Sequence, residues 1–538
     1  MITCSTFLTN GRTGNILFRF ASLIGIAEKY NKKLLLPYWP HAKYFDSHFP
    51  EMPENESSES FVEIKESTFH YVPEWPPIKE YERTDIHGYL QSEKYWDHYE
   101  GLVRDQFKFK PEFIAECINK LSRIAFSKPT IAISIRRGDY VDNPNYELMP
   151  ITYYILALFE HFPDWQERNL VIFSDDIPYC RVHFDCLPNV FFSENNSDIE
   201  DLCLMSQCDE FIISNSTFSW WGAYLSNSKK VVRPNYLFNG FLKSRNDFKD
   251  FYPERWITFD HKKQNGEHKR IDLKNTCFTI PVSYDHEDRK ENLDLCILML
   301  KKSFDTNIMV YEQGNEQIDK RFGYLAEGLE KENPAEHLVE DYQYKNYNDK
   351  FHRTKMLNEM ALKTKATFVF NWDADIIIPP LQIWCSVQQL INGADMVYPY
   401  AWAFARLPRW QWIDRLKHSQ DIGIIGDTRF NGMHPGDAVS LGGAVGFRKL
   451  SFILGGMENE NFISYGAEDV EREERFRKLG FKIERSLGQN LYHLNHFVGL
   501  NSNRTNQYFL TNQIELDKIC QMTKEELQEY INTWEWTK

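Results

Sequence analysis

Two arginines stand where an apolar, β-branched run of the chain stops. Residues 131–135 read IAISI, and Arg136, Arg137, Gly138 and Asp139 follow directly. The run predicts a buried strand, and open α/β sheets place ligands at the carboxyl ends of such strands. A guanidinium binds two oxygens at once, so the pair suits a diphosphate, with Asp139 orienting the arginines. A surface arginine pair held by Asp139 explains this segment, taken alone, equally well.

A second candidate anion site follows another predicted strand. After the apolar residues 211–213 the chain reads Ser214, Asn215, Ser216 and Thr217, and then an aromatic segment, FSWWGAYL. Hydroxyls and free backbone N–H groups at the start of a helix are donors for a phosphate. An ordinary helix cap is the alternative explanation. We expect the two tryptophans of the segment in the core.

Two carboxylates end a predicted strand in the second half of the chain. Asp373 and Asp375 follow the mostly apolar residues 367–372. Their oxygens are suitable ligands for Mn²⁺ or Mg²⁺ beside a nucleotide diphosphate. An Asp-x-Asp pair is common, and by itself it is better explained by a solvated loop. His493 and His496 are spaced to complete a metal site begun by Asp375, with a structural role for one of them as the alternative.

Paired acids begin a predicted charged helix further along the chain. Gly466 precedes Glu468 and Asp469, and residues 440–447, SLGGAVGF, are rich in glycine, which lets the backbone approach a ligand. Acids at a helix start are either partners of the helix dipole or an acid–base site. Both interpretations stay open at this point.

The length of the chain, 538 residues, predicts two to four domains. The segment 260–275 is charged and poor in apolar residues, which is typical of a solvated connector. We therefore predict a first domain over 1–262, a linker over 263–274, a second domain over 275–510 and a helical tail over 511–538. Thr523 and Glu526 predict a capping box in that tail. A surface loop inside one large domain is the alternative to the linker.

The composition limits the partners and the compartment. A net charge of −15 argues against a nucleic-acid partner, which needs a basic face. The ten cysteines form no C-x-x-C pair, which favours reduced thiols in a cytosolic protein. We find no basic-then-apolar leader and no run of about 18 apolar residues. We expect a cytoplasmic protein, and peripheral association with the inner face of a membrane stays open.

Five segments of the first half resemble, in order and spacing, the motifs of bacterial-type α-1,2-fucosyltransferases. They are GRTGN, GYLQSEKYW, IRRGDY, FSDD and SNSTFSWWGAYLS. The resemblance implies a GT-B-like fold of two Rossmann-like halves and an inverting, metal-independent transfer from GDP-fucose. It also implies that Arg136 and Arg137 bind the donor pyrophosphate, which makes Arg136 a catalytic candidate. The family usually has His where this chain has Ser134, which puts acceptor specificity and rate in question.

Pieces of the second half resemble GT-A-fold inverting transferases of the β-1,4-galactosyltransferase and chondroitin-synthase type. They are IPV, FHRTKMLN, FVFNWDADI, GGAVGFR, YGAED and the terminal His pair. The resemblance implies a UDP-sugar donor and Mn²⁺ or Mg²⁺. It implies that Phe351, Arg353 and Asp373 belong to the donor site. Asp375 and His496, with His493 beside them, would bind the metal.

The same resemblance implies how the acceptor is activated. Asp469 matches the base that deprotonates the acceptor hydroxyl, and Glu468 is its neighbour. Two departures leave the sugars uncertain. Ser464 and Tyr465 replace the Trp-Gly that the family has before the acidic motif, and Ser283 stands where related enzymes often have an arginine.

These expectations define an α/β protein that is a bifunctional glycosyltransferase. A GT-A-like second domain would add a hexose, with galactose favoured, in β linkage, and a GT-B-like first domain would add α-1,2-linked fucose. The expected partners are GDP-fucose, a UDP-sugar and a glycan acceptor. The alternative is that only one domain is catalytic and the other is a degenerate glycan-binding or scaffold module. A sugar nucleotidyltransferase would need a Gly-rich, Lys-bearing N-terminal loop, which neither half has.

Overall fold

The computed structural model shows mixed α/β structure in two compact units. The first unit comprises Met1–Ile177 and Asn189–Lys262, and the second comprises Pro178–Pro188 and Lys263–Lys538. The structure describes residues 1–9, 11–53, 60–262, 270–283, 287–313, 339–348, 350–401, 404–407, 416, 425, 434–435, 440–464, 466–488, 490–497 and 505–538.

The first unit begins with a small parallel sheet and a long helix. The strands β1 (Ile2–Thr3), β2 (Val62–Lys65) and β3 (Thr84–His87) lie in the order β1-β3-β2. Helix α1 (Thr13–Lys29) is buried along most of its length. Apolar side chains occur all around it, which is the pattern of a helix packed on several sides.

The first unit also contains a six-stranded sheet. Its strands are β4 (Thr130–Ile135), β5 (Asn169–Ser174), β6 (Val190–Phe192), β7 (Glu210–Ile213), β8 (Val231–Pro234) and β9 (Ile257–Phe259). They are all parallel and lie in the order β6-β5-β4-β7-β8-β9. Every residue of β4 is buried, as expected for a parallel strand covered on both faces. The strand order reverses between β4 and β7, and a crevice opens at such a point.

The helices of this part of the chain are short apart from α1. They are α2 (Pro76–Glu80), α3 (Glu100–Gln106), α4 (Pro111–Leu121), α5 (Ile151–His161), α6 (Ile177–Phe184), α7 (Asp198–Met205), α8 (Thr217–Leu225) and α9 (Gly240–Arg245). The aromatic segment of α8 is core, as predicted, because Trp220 and Trp221 are fully buried. The ring centroid of Phe18 lies 4.6 Å from that of Trp220 and 5.4 Å from that of Trp221.

The second unit contains a seven-stranded sheet and a four-stranded sheet. The strands are β10 (Ile271–Ser283), β11 (Phe304–Gln313), β12 (Asp341–Lys345), β13 (Phe368–Trp372), β14 (Ile376–Ile377), β15 (Met396–Tyr398), β16 (Phe404–Leu407), β17 (His434–Pro435), β18 (Ala444–Arg448), β19 (Ile483–Arg485) and β20 (Leu491–Leu494). The larger sheet has the order β12-β11-β10-β13-β18-β15-β19, and the smaller has the order β14-β20-β16-β17.

The larger sheet of the second unit also reverses its strand order. The chain runs outward from β10 to β11 and β12 and then returns to the other side of β10 with β13. These strands are parallel, whereas β18 is antiparallel to both of its neighbours. The carboxyl ends of β10 and β13 therefore meet at one edge of the sheet, and the Asp-x-Asp pair follows β13 there.

Seven further helices with described bounds belong to the second unit, which also includes residues 178–184 of α6. They are α10 (Glu287–Ser303), α11 (Arg353–Lys363), α12 (Pro380–Ile391), α13 (Lys449–Leu454), α14 (Glu468–Leu479), α15 (Phe509–Gln521) and α16 (Lys524–Asn532). The predicted capping box of Thr523 and Glu526 begins α16 and is confirmed. Among the described residues, no helix combines the length and hydropathy needed to cross a membrane.

The predicted linker is wrong at its carboxyl-terminal end. Strand β10 begins at Ile271, so residues 271–274 belong to the sheet and not to a connector. Ile271 and Leu273 are 2% and 4% exposed and pair with Phe304 and Thr306 of β11. This alternation of buried and exposed residues is the pattern of a strand, and it prevails over the local charge. Residues 263–269 of the predicted linker lie outside the described residues.

Candidate active sites

A cavity of about 870 Å³ opens at the reversal point of the parallel sheet in the first unit. The segments that line it include the start of α1, the end of β4, the end of β5 and the start of α8. Their lining residues include Gly14, Arg136, Asp175 and Thr217. Two helix N-termini therefore face one cavity, and their free N–H groups favour an anion.

Of the two predicted arginines, Arg136 lines this cavity, which Arg12 also lines from the N-cap of α1. Its Nη1 lies 2.8 Å from a carboxylate oxygen of Asp175, and its Nη2 donates to Asp139. Gly138 lies close under the same Asp175 carboxylate. Asp139 thus contacts Arg136, and its role in orienting the arginines stays a prediction. Two carboxylates fix the guanidinium plane, which still reaches the cavity with a 17% exposed side chain.

Arg137 lies in a different environment from Arg136. It is 4% exposed, and it is absent from the residues that line the cavity. Its Nε lies 3.0 Å from a carboxylate oxygen of Asp176, and its backbone N–H donates to Asp175 over 2.9 Å. These contacts make Arg137 a buried support of the strand end. Arg137 thus shares the Asp175 carboxylate with Arg136 but does not line the cavity as Arg136 does.

The residues of the hydroxyl segment 214–217, before α8, also differ in whether they line the cavity. Asn215, Ser216 and Thr217 line the cavity, whereas Ser214 is fully buried and its Oγ lies 2.8 Å from that of Ser219. Ser216 caps the helix, because its Oγ accepts the N–H of Phe218 over 3.2 Å. The start of α8 is thus both capped by Ser216 and part of the cavity wall.

Gly14 explains why the first motif needs glycine. A Cβ at this position would lie 2.6 Å from the backbone nitrogen of Phe218 and 2.7 Å from the carbonyl carbon of Thr217. The starts of α1 and α8 can therefore approach each other only if residue 14 has no side chain. The second glycine of the GRTGN motif thus allows two helix N-termini to lie close together at one cavity.

Ser134 belongs to a buried hydroxyl chain at the floor of the cavity. Its Oγ lies 2.7 Å from that of Ser219. Asp198 and Asp201 line the same cavity from α7, and sequence reasoning did not single them out. Burial raises the pKa of Asp201 to about 6, although Ser193 and Asn196 donate hydrogen bonds to its carboxylate. These two acids lie on a helix that follows β6. The sequence could have indicated them only through the rule that ligands bind where the strand order of an α/β sheet reverses.

In the second unit the structure brings Asp375, His493 and His496 together. One ligand atom from each lies within 4.8 Å of the others. The Asp375 carboxylate is 3.0 Å from Nε2 of His496 and 3.6 Å from Nε2 of His493. Strand pairing explains the proximity, because His493 on β20 lies opposite Ile376 on β14. One carboxylate and two imidazoles are a donor set that fits a divalent cation.

The charges around Asp375 suit an ionised carboxylate. Burial alone would raise the pKa of Asp375, but the two imidazoles and Arg289 outweigh burial and hold this pKa below its usual range. Burial lowers the pKa of His493. Burial also acts to lower the pKa of His496, but the hydrogen bond and charge of Asp375 raise it overall. Arg289, whose Nη1 is 3.8 Å from Asp375, was not among the predicted site residues.

Asp373 and Arg353 form the centre of the predicted donor site. The Arg353 guanidinium lies 2.8 Å from the Asp373 carboxylate through Nη2 and 3.2 Å through Nε. Its Nη1 is buried without a hydrogen bond to any residue that the structure describes, and it lies 3.8 Å from Glu468 and 3.9 Å from Asp469. Phe351 is partly buried beside the start of α11, with its carbonyl accepting the N–H of Ser464 over 3.0 Å. A single guanidinium thus joins the predicted donor and acceptor acids.

The carboxylate of Asp469 lies against the glycine-rich segment, residues 440–447. A Cβ on Gly442 would lie 2.4 Å from Oδ2 of Asp469, so only glycine allows the carboxylate this position. Oδ1 of Asp469 lies 2.6 Å from Nη2 of Arg472. Burial, followed by the charge of Asp469, raises the pKa of Glu468 to about 8. The two adjacent acids therefore differ: Glu468 is held neutral near pH 7, and Asp469 is paired with a guanidinium. Tyr465 lies outside the described residues.

The reversal of the parallel sheet, the cavity there and the facing arginine define the first unit as an α/β ligand-binding unit of the doubly wound class. Residues 8–260 match the family described as "Glycosyl transferase family 11". The N-terminal region is thus related to that family, in agreement with the motifs.

Individual relatives agree with this assignment for the N-terminal part. The chain is 34% identical over 175 residues to "O-antigen biosynthesis glycosyltransferase WbnK" of Escherichia coli, covering 30% of this chain and 57% of that one. It is 32% identical over 185 residues to an Escherichia coli "Alpha-1,2-colitosyltransferase", covering 32% and 61%. It is 26% identical over 281 residues to "Galactoside 2-alpha-L-fucosyltransferase SEC1" of Bos taurus, covering 47% and 73%. The chain thus spans about three fifths of the length of the first two relatives.

A solved structure titled "Crystal Structure of a Mycobacterial Protein" covers 45% of this chain and 75% of its own, with 11% identity and a TM-score of 0.27. A likeness at this level carries no argument about function.

Proposed function

We propose that the first unit transfers a 6-deoxyhexose from a GDP-sugar to a glycan hydroxyl in α-1,2 linkage. The observation that carries this proposal is Arg136, fixed by two carboxylates at the wall of a cavity faced by two helix N-termini. The relation of residues 8–260 to glycosyl transferase family 11 supports the same reaction class. Relatives are named for fucose and for colitose transfer, so both sugars are candidate donors.

The chemistry of this site rests on residues of the chain alone. Arg136 and the N-terminal N–H groups of α1 and α8 would bind the pyrophosphate and offset the charge that develops on the departing GDP. Asp139 and Asp175 would keep the guanidinium oriented before the donor arrives. Such preorganisation means that little reorganisation is needed during transfer.

We further propose that the second unit transfers a hexose from a UDP-sugar in β linkage. Asp375, His493 and His496 would hold a divalent ion, Mn²⁺ or Mg²⁺, which when bound supplies Lewis-acid stabilisation of the leaving diphosphate. Arg353 and Asp373 would position the nucleotide, with Phe351 beside them. Asp469 would take the proton of the acceptor hydroxyl, and Glu468 would donate a hydrogen bond because its carboxyl is neutral near pH 7.

A donor screen on the purified full-length protein tests both proposals. GDP-fucose, GDP-colitose, UDP-galactose and other UDP-hexoses are each offered with β-galactoside and N-acetylhexosamine acceptors, with Mn²⁺ or with EDTA. Transfer from the GDP-sugar is expected to persist in EDTA, and transfer from the UDP-sugar is expected to require the metal. Matched variants assign the products: Arg136→Ala should remove only the first activity, and Asp469→Asn only the second.

The two parts of the proposal can fail separately. If no GDP-sugar yields product with any acceptor while a UDP-sugar does, the assignment of the first unit is wrong. A UDP-hexosyl transfer that survives EDTA and the Asp375→Ala change would overturn the assignment of the second unit.

A further inference from the structure

A chain of buried polar groups crosses the second unit from the centre of its sheet to Asp469. Oγ1 of Thr279 on β10 donates to Oδ1 of Asn371 on β13 over 3.0 Å. Nδ2 of Asn371 donates to a carboxylate oxygen of Glu458 over 2.6 Å. Arg472 continues the chain, because its Nη1 lies 2.9 Å and 3.1 Å from the two oxygens of Glu458.

Arg472 ends this chain at the predicted base. Its Nη2 donates to Oδ1 of Asp469 over 2.6 Å and to the carbonyl of Leu441 over 3.3 Å. The side chains of Arg472 and Glu458 are 0% and 1% exposed, whereas that of Asp469 is 29% exposed. The network therefore begins in the core and ends at a carboxylate that reaches solvent.

Hydrogen bonds to a neighbouring helix fix the position of Glu458. Its backbone N–H donates to Oδ1 of Asn358 over 2.8 Å, and its carbonyl accepts from Nδ2 of the same residue over 2.9 Å. Asn358 lies on α11, the helix that begins with Arg353. Fixed hydrogen-bond partners behind a reacting group restrict its rotation, which is how supporting residues keep a site in its productive geometry.

We propose that Arg472 is a positioning residue that holds the Asp469 carboxylate in place, anchored by Glu458 and Asn371. The proposal rests on the function inferred above for the second unit, in which Asp469 deprotonates the acceptor. The planar fork of Arg472 serves two carboxylates at once. A lysine at this position has one compact ammonium, which can face Glu458 or Asp469 but cannot hold both in the same geometry.

The same helix offers a matched control. Arg475 is also fully buried, and its Nε lies 2.6 Å from the equally buried Glu471. It also donates to the carbonyls of Gly455 and Met457 and lies over the rings of Phe476 and Trp534, and none of these described contacts involves Asp469. Arg475→Lys therefore perturbs a buried arginine–glutamate pair of the same helix without touching the proposed base.

The test compares full-length Arg472→Lys and Arg475→Lys with the wild type. In Arg472→Lys we expect kcat for transfer from the UDP-sugar to fall about 100-fold, because a displacement of about 1 Å in a reacting group costs that much. We expect the affinity for UDP with Mn²⁺, measured by calorimetry, to stay within about threefold. Arg475→Lys is expected to lower the melting temperature similarly while kcat of the folded protein stays within about threefold.

Crystal structures of the two variants provide a measurement that does not depend on activity. The Asp469 carboxylate should leave its wild-type position in Arg472→Lys and keep it in Arg475→Lys. If it stays in place in Arg472→Lys, or if Arg475→Lys loses kcat equally, the positioning role is wrong. Glu458→Gln is the second variant should Arg472→Lys not fold, and it should lower kcat about 3- to 10-fold by weakening the anchor. A wild type that transfers no hexose refutes the proposed function, while the crystal structures still decide the role of Arg472.

Discussion

Arg136→Ala is expected to remove donor binding from the first unit while leaving its fold largely intact. The Asp139 partner is 52% exposed, so solvent screens that ion pair. Asp175 keeps the backbone N–H of Arg137 as a donor. The free energy of unfolding should therefore fall by only about 1 kcal/mol. For a unit of this size that lowers the melting temperature by about 2–4 °C.

The effect on the ligand should be much larger than the effect on stability. A hydrogen bond to a charged group contributes about 1.5–3 kcal/mol to binding, so GDP affinity should fall about 10- to 150-fold. Loss of a preorganised donor to the transition state costs about 2–4 kcal/mol, which predicts a fall in turnover of about 30- to 700-fold. Arg136→Lys should recover little of this, because an ammonium cannot span Asp139 and Asp175 as the guanidinium does.

Arg137→Ala is the control, since the neighbouring arginine is buried and does not line the cavity. Breaking its pair with Asp176 should cost about 3 kcal/mol of stability while GDP affinity stays within about threefold. Calorimetry with GDP and thermal unfolding, run on both variants, separate the two effects. Wild-type GDP affinity in Arg136→Ala would refute the assignment, and so would an equal loss of affinity in Arg137→Ala without a loss of stability.

Three further predictions concern the second unit. Asp375→Ala should lose Mn²⁺-dependent UDP binding. Asp469→Asn should keep that binding, while its rate of transfer should fall about 10²–10⁴-fold. An equal loss of UDP–Mn²⁺ affinity in both variants would place Asp469 in the donor site. Gly442→Ala should reduce transfer but not UDP affinity, since its Cβ would lie 2.4 Å from the Asp469 carboxylate; unchanged kcat would contradict this. Glu468 has a pKa of about 8 in the folded protein, above its unfolded value, so deprotonation should destabilise the wild type as pH rises from about 5 to 9. Glu468→Gln should lack this loss, and denaturant titrations at several pH values should show the stabilities of the two proteins diverging as pH rises.

Local sequence pattern predicted β4 and β13 because their residues are buried. The apolar runs before Arg136 and Asp373 correspond to β4 and β13 within a residue or two. The linker prediction failed at Ile271 and Leu273 because composition over sixteen residues concealed a two-residue alternation at its end. Pairing with β11, which begins 33 residues after Ile271, decides that these residues form a strand. Composition of the segment itself carries no information about that partner.

The pair Arg136 and Arg137 shows a limit of motif reasoning. Strand β4 ends at Ile135, and Arg137 has φ −130° and ψ −70°, so the alternation of side chains along a strand does not extend through the pair. The structure places Arg136 at the cavity and Arg137 against Asp176. The motif alone did not predict this division, because it depends on where the strand ends and on the carboxylates that follow β5.

Residues that act through others are the least visible in the sequence. Glu458 and Arg472 are 14 positions apart, and neither belongs to a motif. Their pairing depends on how α14 packs over the sheet, which no local pattern reports. Asp375 and His496, by contrast, could be associated beforehand, because the spacing of the two histidines suggested a metal site and the resemblance to known transferases implied the same ligands. The Asp-x-Asp pair by itself left a solvated loop as the better interpretation.

The two proposed sites meet the charge of a nucleotide diphosphate by different means at equivalent places in their sheets. Each lies where the strand order reverses, because the carboxyl ends of strands diverge there and leave room for a ligand. In the site proposed for the first unit the countercharge would be Arg136, and we expect transfer there to need no metal ion. In the second unit the carboxylate of Asp375 stays ionised between two imidazoles, which favours a bound cation over a bound anion at that point. A chelator should therefore separate the two activities within one protein, and a shared dependence on metal would mean that the division of chemistry between the units is wrong.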